Sequence, residues 1–212
     1  GDDMNMHGPQ GEQSQCELLQ LCAVSKCIIS PANHQSIVGV FQDSLLGCYR
    51  FTRENINFDK RTAMNLLMYN KNIDVSLFKK DNIKSFDIIS QILPPINVNF
   101  KNGGFSDSDD RKTSNNIVEI VNGKYIRGQI DKGTLSGKMN GLIRSIFNDY
   151  NDINAANFID DIQLIVTEYM KLSSYSVGIS DLIADSQTNN KISAAVTNKK
   201  KEVVKLLNHL HV

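Results

Sequence analysis

The feature that most restricts the fold of this chain is an Asn122-Gly123 pair set between two apolar runs. The runs cover residues 117–121 and 124–130 and are rich in β-branched and aromatic side chains. Asn and Gly both tolerate the positive φ angles of a two-residue type I′ turn, so the pattern predicts a β-hairpin. A further short strand is predicted by the alternation of Ile96, Val98 and Phe100 after a rigid Pro94-Pro95 step.

Helical periodicity surrounds these strands. Apolar residues recur at helical spacing in six segments: residues 11–24, 37–51, 59–70, 142–150, 155–172 and 189–212. Asp59 is placed to cap the third segment. In the fifth, Phe158 and Tyr169 bound a stripe that should face the core. The predicted fold class is therefore mixed α+β, with helices, short antiparallel strands and a long C-terminal helix.

Residues 101–116 form the most polar and glycine-rich stretch, which predicts a mobile loop. Gly103-Gly104 is interpreted as a turn, since no Lys-Ser or Lys-Thr pair follows as a phosphate-binding loop requires. The acidic run 107–110 does not fit a calcium loop, because Lys112 and Val118 stand at the required glycine and glutamate positions. A solvated loop is the better interpretation.

Charge and cysteine content restrict the function. The chain has 23 basic and 23 acidic residues, so nothing in its net charge favours nucleic-acid binding, and any such contact must be local. No apolar run reaches the roughly 18 residues of a membrane span, so no membrane partner is expected. The cysteines lack CxxC spacing, which favours reduced core thiols of an intracellular protein over a zinc site. They are Cys16, Cys22, Cys27 and Cys48.

The N-terminal "GDD" offers one candidate metal ligand. Carboxylates suit Mg²⁺, but neighbours in an extended chain point to opposite sides, so Asp2 and Asp3 are unlikely to bind one ion together. From the residues alone, one of the two aspartates is therefore a candidate metal ligand and the other is not.

Four phrases in order resemble the largest subunit of multisubunit DNA-directed RNA polymerases. "GDDMNMHGPQ" is similar to the end of the signature NADFDGDxMNxHxPQ, and "SPANHQSIVGVFQDSLLG" resembles SPxxxxPxxGxxQDxLxG. "IDKGTLSGKMNGLIRSIFNDY" looks like the pore-domain hairpin and helix, and "YSVGISDLIAD" resembles GFSxGIxDxxxD. Gly8, Gln35, Ser36 and Ser174 depart from these phrases, so no side-chain role is transferred to them. Within this family, the four phrases are most similar to those of eukaryotic or large-DNA-virus subunits.

The resemblance implies site residues and a cofactor. In the family three aspartates of DFDGD hold a catalytic Mg²⁺; the chain begins inside this motif, so the third maps to Asp2, and Asp3 is not a ligand. The implied activity is template-directed RNA synthesis from nucleoside triphosphates, with the isolated chain inactive. Lys132, expected on the hairpin, is the candidate pore-lining charge, and a plain solvent-facing lysine is an equally good interpretation. Gln42 and Asp43 are further candidates near RNA or nucleotide.

The resemblance also implies domains and partners. Residues 1–29 would end the active-site domain, 30–185 would form the pore domain, and 186–212 would begin the funnel. Expected partners are other polymerase subunits (the second-largest foremost), DNA template, RNA transcript, nucleoside triphosphates and a transcript-cleavage factor. The location would be the nucleus, or the host cytoplasm or virion for a virus.

Two other interpretations fit parts of the sequence. As an isolated piece, the chain is alternatively a non-catalytic module that binds an RNA 3′ end or a transcript-cleavage factor. A palm-class RNA-dependent polymerase also carries "GDD", but its aspartates lie in a strand-turn-strand inside the chain, and no strand precedes them here.

Overall fold

The computed structural model describes residue 3, residues 5–135 and residues 141–210. The chain divides into two compact units, Gly1–Ser173 (unit 1) and Ser174–Val212 (unit 2). The helices are α1 Glu12–Leu21, α2 Gln42–Phe51, α3 Lys60–Leu66, α4 Ser85–Ile89, α5 Lys132–Leu135, α6 Leu142–Asp149, α7 Asp152–Ser173 and α8 Ser186–Leu210. The strands are β1 Asn57–Asp59, β2 Asn82–Lys84, β3 Val98–Lys101, β4 Ile117–Val121 and β5 Lys124–Arg127. The predicted α+β class is confirmed.

The predicted hairpin is formed by β4 and β5, which pair antiparallel with Val121 opposite Lys124. Asn122 and Gly123 have φ angles of 49° and 73°, as a type I′ turn requires. Strand β3 pairs antiparallel with β4 and completes a three-stranded sheet, while β1 and β2 form a separate antiparallel pair. The predicted strand near residue 98 is therefore also confirmed, with its start at Val98.

Helix α7 is the central element of the core of unit 1. Its predicted apolar stripe, which includes Phe158 and Tyr169, is buried. The Tyr169 ring packs edge-on against Phe51 of α2 and against Phe58 of β1, with ring centroids 5.1 and 5.9 Å apart. Burying side chains of this size contributes about 1.5–3 kcal/mol each, so α7 organises the helices and strands around it.

Helix α2 begins at Gln42, so the prediction of a helix from residue 37 is wrong at its start. Ile37 N–H instead donates to the Ile28 carbonyl at 2.8 Å, and Phe41 is extended. Val40 is buried in this extended segment. The preceding residues thus satisfy their backbone through a tertiary pairing, which competes with the first turn of a helix.

Helix α1 forms where it was predicted, but its apolar residues are not part of the core. Leu18 and Leu19 are 42% and 73% exposed, and the helix has no buried residue. The prediction of core thiols holds for Cys48, which is buried. It is wrong for the three cysteines in and around α1, which are exposed: Cys16, Cys22 and Cys27.

The loop between β3 and β4 forms hydrogen bonds through its own polar side chains. The Asn102 side chain donates to the Gln129 carbonyl at 3.3 Å and accepts from Gly104 N–H at 3.0 Å. Asp109 Oδ2 accepts from the Asn116 amide at 3.0 Å. The mobility expected from composition stays a prediction, although these bonds oppose it.

Unit 2 consists of a short 3-10 helix, Ile179–Leu182, followed by α8. Asp185 Oδ1 accepts from Thr188 N–H at 3.1 Å, and bonding to Thr188 lowers the pKa of the Asp185 carboxyl. The predicted long C-terminal helix is confirmed, yet it has no buried residue. In the described chain, no helix combines the length and apolarity that crossing a membrane requires. The three domain ranges stay predictions.

Candidate functional site

The candidate magnesium ligand, Asp2, lies outside the described residues, and its neighbour Asp3 is exposed. Across residues 5–135 and 141–210, together with Asp3, no group of three or more His, Cys, Asp or Glu side chains could hold a metal ion. Mg²⁺ requires several oxygen ligands in near-octahedral geometry. The described residues therefore do not fit a complete magnesium site.

Lys132 is the first residue of the one-turn helix α5, so its predicted position on the hairpin is wrong. Strand β5 ends at Arg127 because Gly128 has φ of 102°, a conformation that a side chain rarely permits. A Cβ at Gly128 would lie 2.2 Å from the Ile117 carbonyl oxygen. The regular strand pairing therefore ends before Lys132, and Gln129 N–H donates instead to the carbonyl of Asn115, which precedes β4, at 3.0 Å.

The backbone on both sides of Lys132 is fixed by reciprocal hydrogen bonds. Thr134 N–H donates to Asp131 Oδ1 at 2.8 Å, and Asp131 N–H donates to Thr134 Oγ1 at 2.9 Å. Asp131 Oδ2 also accepts from Gly103 N–H at 2.7 Å, which joins the β3–β4 loop to this turn. Lys132 itself is exposed. An exposed ammonium is thus carried by a rigid backbone.

A buried threonine connects this segment to the C-terminal end of α2. Thr52 is 1% exposed; its hydroxyl donates to the Cys48 carbonyl at 2.8 Å and accepts from Ile130 N–H at 2.9 Å. Because a buried backbone N–H without a partner costs about 1–3 kcal/mol, this bond fixes where the segment leaves the core. Thr52 was not identified from the sequence, because its partner is 78 residues away.

Gln42 and Asp43 lie at the opposite end of α2 and are both exposed. Gln42 has φ of 50°, which is uncommon for a residue with a side chain. At 1.5 Å per residue, the ten residues of α2 separate its two ends by roughly 14 Å. These contacts therefore join the Lys132 segment to one end of α2 and place Gln42 and Asp43 at the other.

Two titratable side chains are buried in the described interior between these positions, Cys48 and Tyr125. Burial raises the pKa of Cys48 to about 12. Burial likewise raises the pKa of Tyr125 well above its usual value, and its hydroxyl donates to the Gly128 carbonyl at 2.8 Å. Both groups therefore stay protonated near neutral pH, and their role is structural. Any binding in this region must use the exposed residues.

The acidic loop residues are used as local caps. Asp109 Oδ2 accepts from Ser106 N–H as well as from Asn116, and the bond from Asn116 contributes most to lowering its pKa. Asp110 accepts from Lys112 N–H at 3.0 Å. This agrees with the interpretation of a solvated, turn-forming loop.

The capping pair around Lys132 was not predicted, although the sequence carries a signal for it. An Asp followed three residues later by Thr, as in Asp131 and Thr134, allows each side chain to bond the other residue's backbone. That spacing favours a helix turn at residues 131–134 over a continued strand.

Comparison with known proteins gives concordant matches. The family model "RNA polymerase Rpb1, domain 3" matches residues 27–182. The DNA-directed RNA polymerase II subunits RPB1-B and RPB1-A of Trypanosoma brucei brucei are each 29% identical over 210 residues, 97% of this chain and 12% of theirs. DNA-directed RNA polymerase subunit 1 of Acanthamoeba polyphaga mimivirus is 27% identical over 205 residues, 96% of this chain and 13% of its own. The chain spans about one-eighth of the length of these relatives.

Proposed function

The chain belongs to the family of RNA polymerase Rpb1 domain 3, and on this premise we propose that it is a segment of a polymerase largest subunit that acts in transcription. The observation that carries the proposal is the continuous match over residues 27–182, which includes the core around α7 and the Lys132 turn. The proposed activity of the whole enzyme is template-directed RNA synthesis from nucleoside triphosphates.

We propose that this chain contributes one carboxylate, Asp2, to the catalytic Mg²⁺ site. The other ligands would come from parts of the subunit outside this chain, because the described residues form no metal-binding cluster. When bound, the ion supplies Lewis acidity for phosphoryl transfer. What the chain itself adds is the rigid scaffold that places its exposed polar residues.

Lys132 is proposed to contact phosphates of the nucleotide or of the RNA. Its ammonium is exposed, and the Asp131–Thr134 turn fixes its backbone, so a phosphate contact would need little rearrangement. Gln42 and Asp43, both exposed, are proposed to contact RNA or nucleotide from the far end of α2.

The proposed partners follow from the subunit assignment. They are the other polymerase subunits, above all the second-largest, together with DNA template, RNA transcript and nucleoside triphosphates. A transcript-cleavage factor is proposed to bind the pore and funnel surface. The relatives are a eukaryotic polymerase II subunit and a giant-virus subunit. The proposed location is therefore the nucleus, or the host cytoplasm and virion for a viral enzyme.

The decisive experiment replaces Asp2 by Ala in the intact subunit and assembles the complete enzyme. Elongation on a template–primer scaffold should be lost while the subunit still co-purifies with its partners, since a ligand is removed and no core contact. Asp3→Ala is the matched control and should retain elongation. Near-normal elongation by the Asp2→Ala enzyme would show that the wrong aspartate has been assigned.

The role of Lys132 is tested in the same assembled enzyme. Lys132→Ala should raise the nucleotide concentration for half-maximal elongation about 1.4- to fivefold, since a solvent-exposed ion pair contributes about 0.2–1 kcal/mol. Lys124→Ala, at an exposed position of β5, is the control and should leave that concentration unchanged. An equal effect of the two substitutions would argue against a phosphate contact at Lys132.

A further inference from the structure

A polar cleft in unit 1 takes no part in the site described above. It has a volume of about 460 Å³ and lies between the segment after α3, the segment after α4 and the outer face of α7. From α7 it is lined by residues one turn apart, among them Asn154, Asn157 and Asp161. The repeated spacing makes this polar stripe a continuous wall on one side of α7.

The lining of the cleft contains more carboxylates than cationic groups. Asp160 and Asp161 face one ammonium, that of Lys71, which leaves a formal charge of −1 at neutral pH. Two carboxylates repel phosphates, so this lining disfavours a nucleic-acid backbone. The excess negative charge favours the binding of a cationic group.

Asn70 lies beside Asp161 in the wall of the cleft. Both polar side-chain atoms of Asn70 are buried and lack a hydrogen-bond partner of normal geometry among the described residues. The Asn70 amide is nevertheless close enough to Asp161 to favour its ionised form. Both atoms are enclosed, so Asn70 is part of the cleft wall and Asp161 is the carboxylate beside it that a ligand can contact.

Asp161 is a partly buried carboxylate with no ion pair within 4.0 Å in the described chain. Burial is the main cause that raises its pKa, and the neighbouring charge of Asp160 raises it further. Asn70 and the more distant Lys71 act in the opposite direction. A cation that reached Asp161 would compensate for the lost hydration of its carboxylate.

We propose that this cleft binds an arginine side chain from a segment of a partner protein. A guanidinium has five N–H donors in a planar fork that fits a carboxylate in bidentate fashion, and it stacks on aromatic rings such as that of Tyr69. Tyr69 and Leu164 line the cleft and are 54% and 41% exposed, which provides apolar surface for residues next to the arginine. The proposal does not depend on the function in transcription.

The test is an NMR titration of the full 212-residue chain with N-acetyl-arginine amide. We expect saturable shifts at Asn70, Asn157 and Asp161 with a Kd on the order of 1–10 mM, the range for about 3–4 kcal/mol of net binding energy. N-acetyl-citrulline amide, which has the same shape without the charge, should bind at least about fivefold more weakly. A short single-stranded RNA should leave these resonances unchanged.

Three variants make the test specific to the cleft. Asp161→Asn should weaken arginine binding at least about fivefold, and Lys71→Gln should strengthen it, because it removes the competing charge. Asp107→Asn, at an exposed position that does not line the cleft, should have no effect. Equal binding of arginine and citrulline amides, absence of saturation, or shifts caused by RNA would overturn the proposal.

Discussion

Single side chains in the interior of unit 1 determine how the surface residue Lys132 is presented. The hydroxyl of Thr52 bonds both to its own helix and to Ile130, two residues before Lys132. Beside it, Cys48 and Tyr125 are fully enclosed. The interior here is therefore a rigid support, and chemical reactivity should be confined to the exterior.

Thiol labelling tests this separation. With a pKa of about 12, Cys48 has on the order of 1 in 10⁴ of its thiol ionised at pH 8, and it is also shielded from reagents. An aromatic disulfide reagent should label the three exposed cysteines quickly and Cys48 only after unfolding. A Cys48→Val variant should give the same rapid count. Four rapid equivalents in the folded protein would contradict the buried position of Cys48.

Hydrogen bonds between residues close together in the sequence could be predicted, whereas hydrogen bonds between residues far apart in the sequence could not. Asp59 was predicted to cap α3, and its Oδ2 accepts from Arg61 N–H at 3.2 Å. The Asn122-Gly123 turn was predicted for the same reason, since all the atoms involved are close in the chain. The Thr52–Ile130 bond required the tertiary fold, because nothing near either residue marks them as partners.

Gly47 of α2 packs directly against side chains of α7. A Cβ at this position would lie 2.2 Å from Val166 Cγ1 and 2.9 Å from Met170 Cγ. Gly47→Ala should therefore lower the free energy of unfolding by about 1–3 kcal/mol, although alanine favours helices over glycine by about 1 kcal/mol.

Chemical denaturation measures this effect, and two variants control it. Val166→Ala in the Gly47→Ala background should restore part of the lost stability, because it removes the clashing methyl group. Gly8→Ala should be neutral, since nothing lies within 4 Å of the added Cβ. If Gly47→Ala were as stable as the parent, the close packing of α2 on α7 would be refuted.

The start of α7 is joined to the segment after α1 by an ion pair. Lys26 Nζ lies 2.7 Å from Asp152 Oδ2, and this ammonium is the main cause that lowers the pKa of Asp152. A lowered pKa means that the stabilisation is present above the unfolded pKa of about 3.9 and is lost as pH falls through the folded value.

Asp152→Asn should therefore lower the melting temperature at pH 7, and its difference from the parent should shrink as the pH falls below about 4. The helix start is capped by Asn151, whose Oδ1 accepts from Asn154 N–H at 2.7 Å and which the substitution leaves unchanged, so the comparison isolates the charge. Thermal melts across this pH range give the measurement, with Asp149→Asn as an exposed control. A difference that did not change with pH would exclude the ion pair as its cause.

The longer helices and the β4–β5 hairpin followed from periodicity, but β1, β2 and α4 were not predicted, and one boundary and one position were wrong. Helix α2 starts five residues later than predicted, because residue 37 pairs with Ile28. Lys132 was expected on a strand, and Gly128 redirects the chain first. Both errors arise where a tertiary contact or a single backbone angle prevails over a local pattern.

Across the whole molecule, the proposed function predicts that this chain alone is inactive. Its described residues contain no metal-binding cluster, and a single carboxylate at Asp2 cannot hold Mg²⁺ tightly. Primer extension with the isolated chain should give no product above a no-protein control, with or without added Mg²⁺. Extension that was abolished by Asp2→Ala would show instead that the chain carries a complete catalytic site.

Helix α8 bears on how the molecule loses its structure on heating. It has 25 residues and none of them is buried, whereas α7, with 22 residues, buries seven of them in the core of unit 1. Much of the helical circular dichroism therefore comes from a segment held by local interactions, which melts gradually. The heat absorbed, in contrast, comes mainly from the core of unit 1. The two signals should not coincide, and the van't Hoff enthalpy from circular dichroism should fall below the calorimetric one.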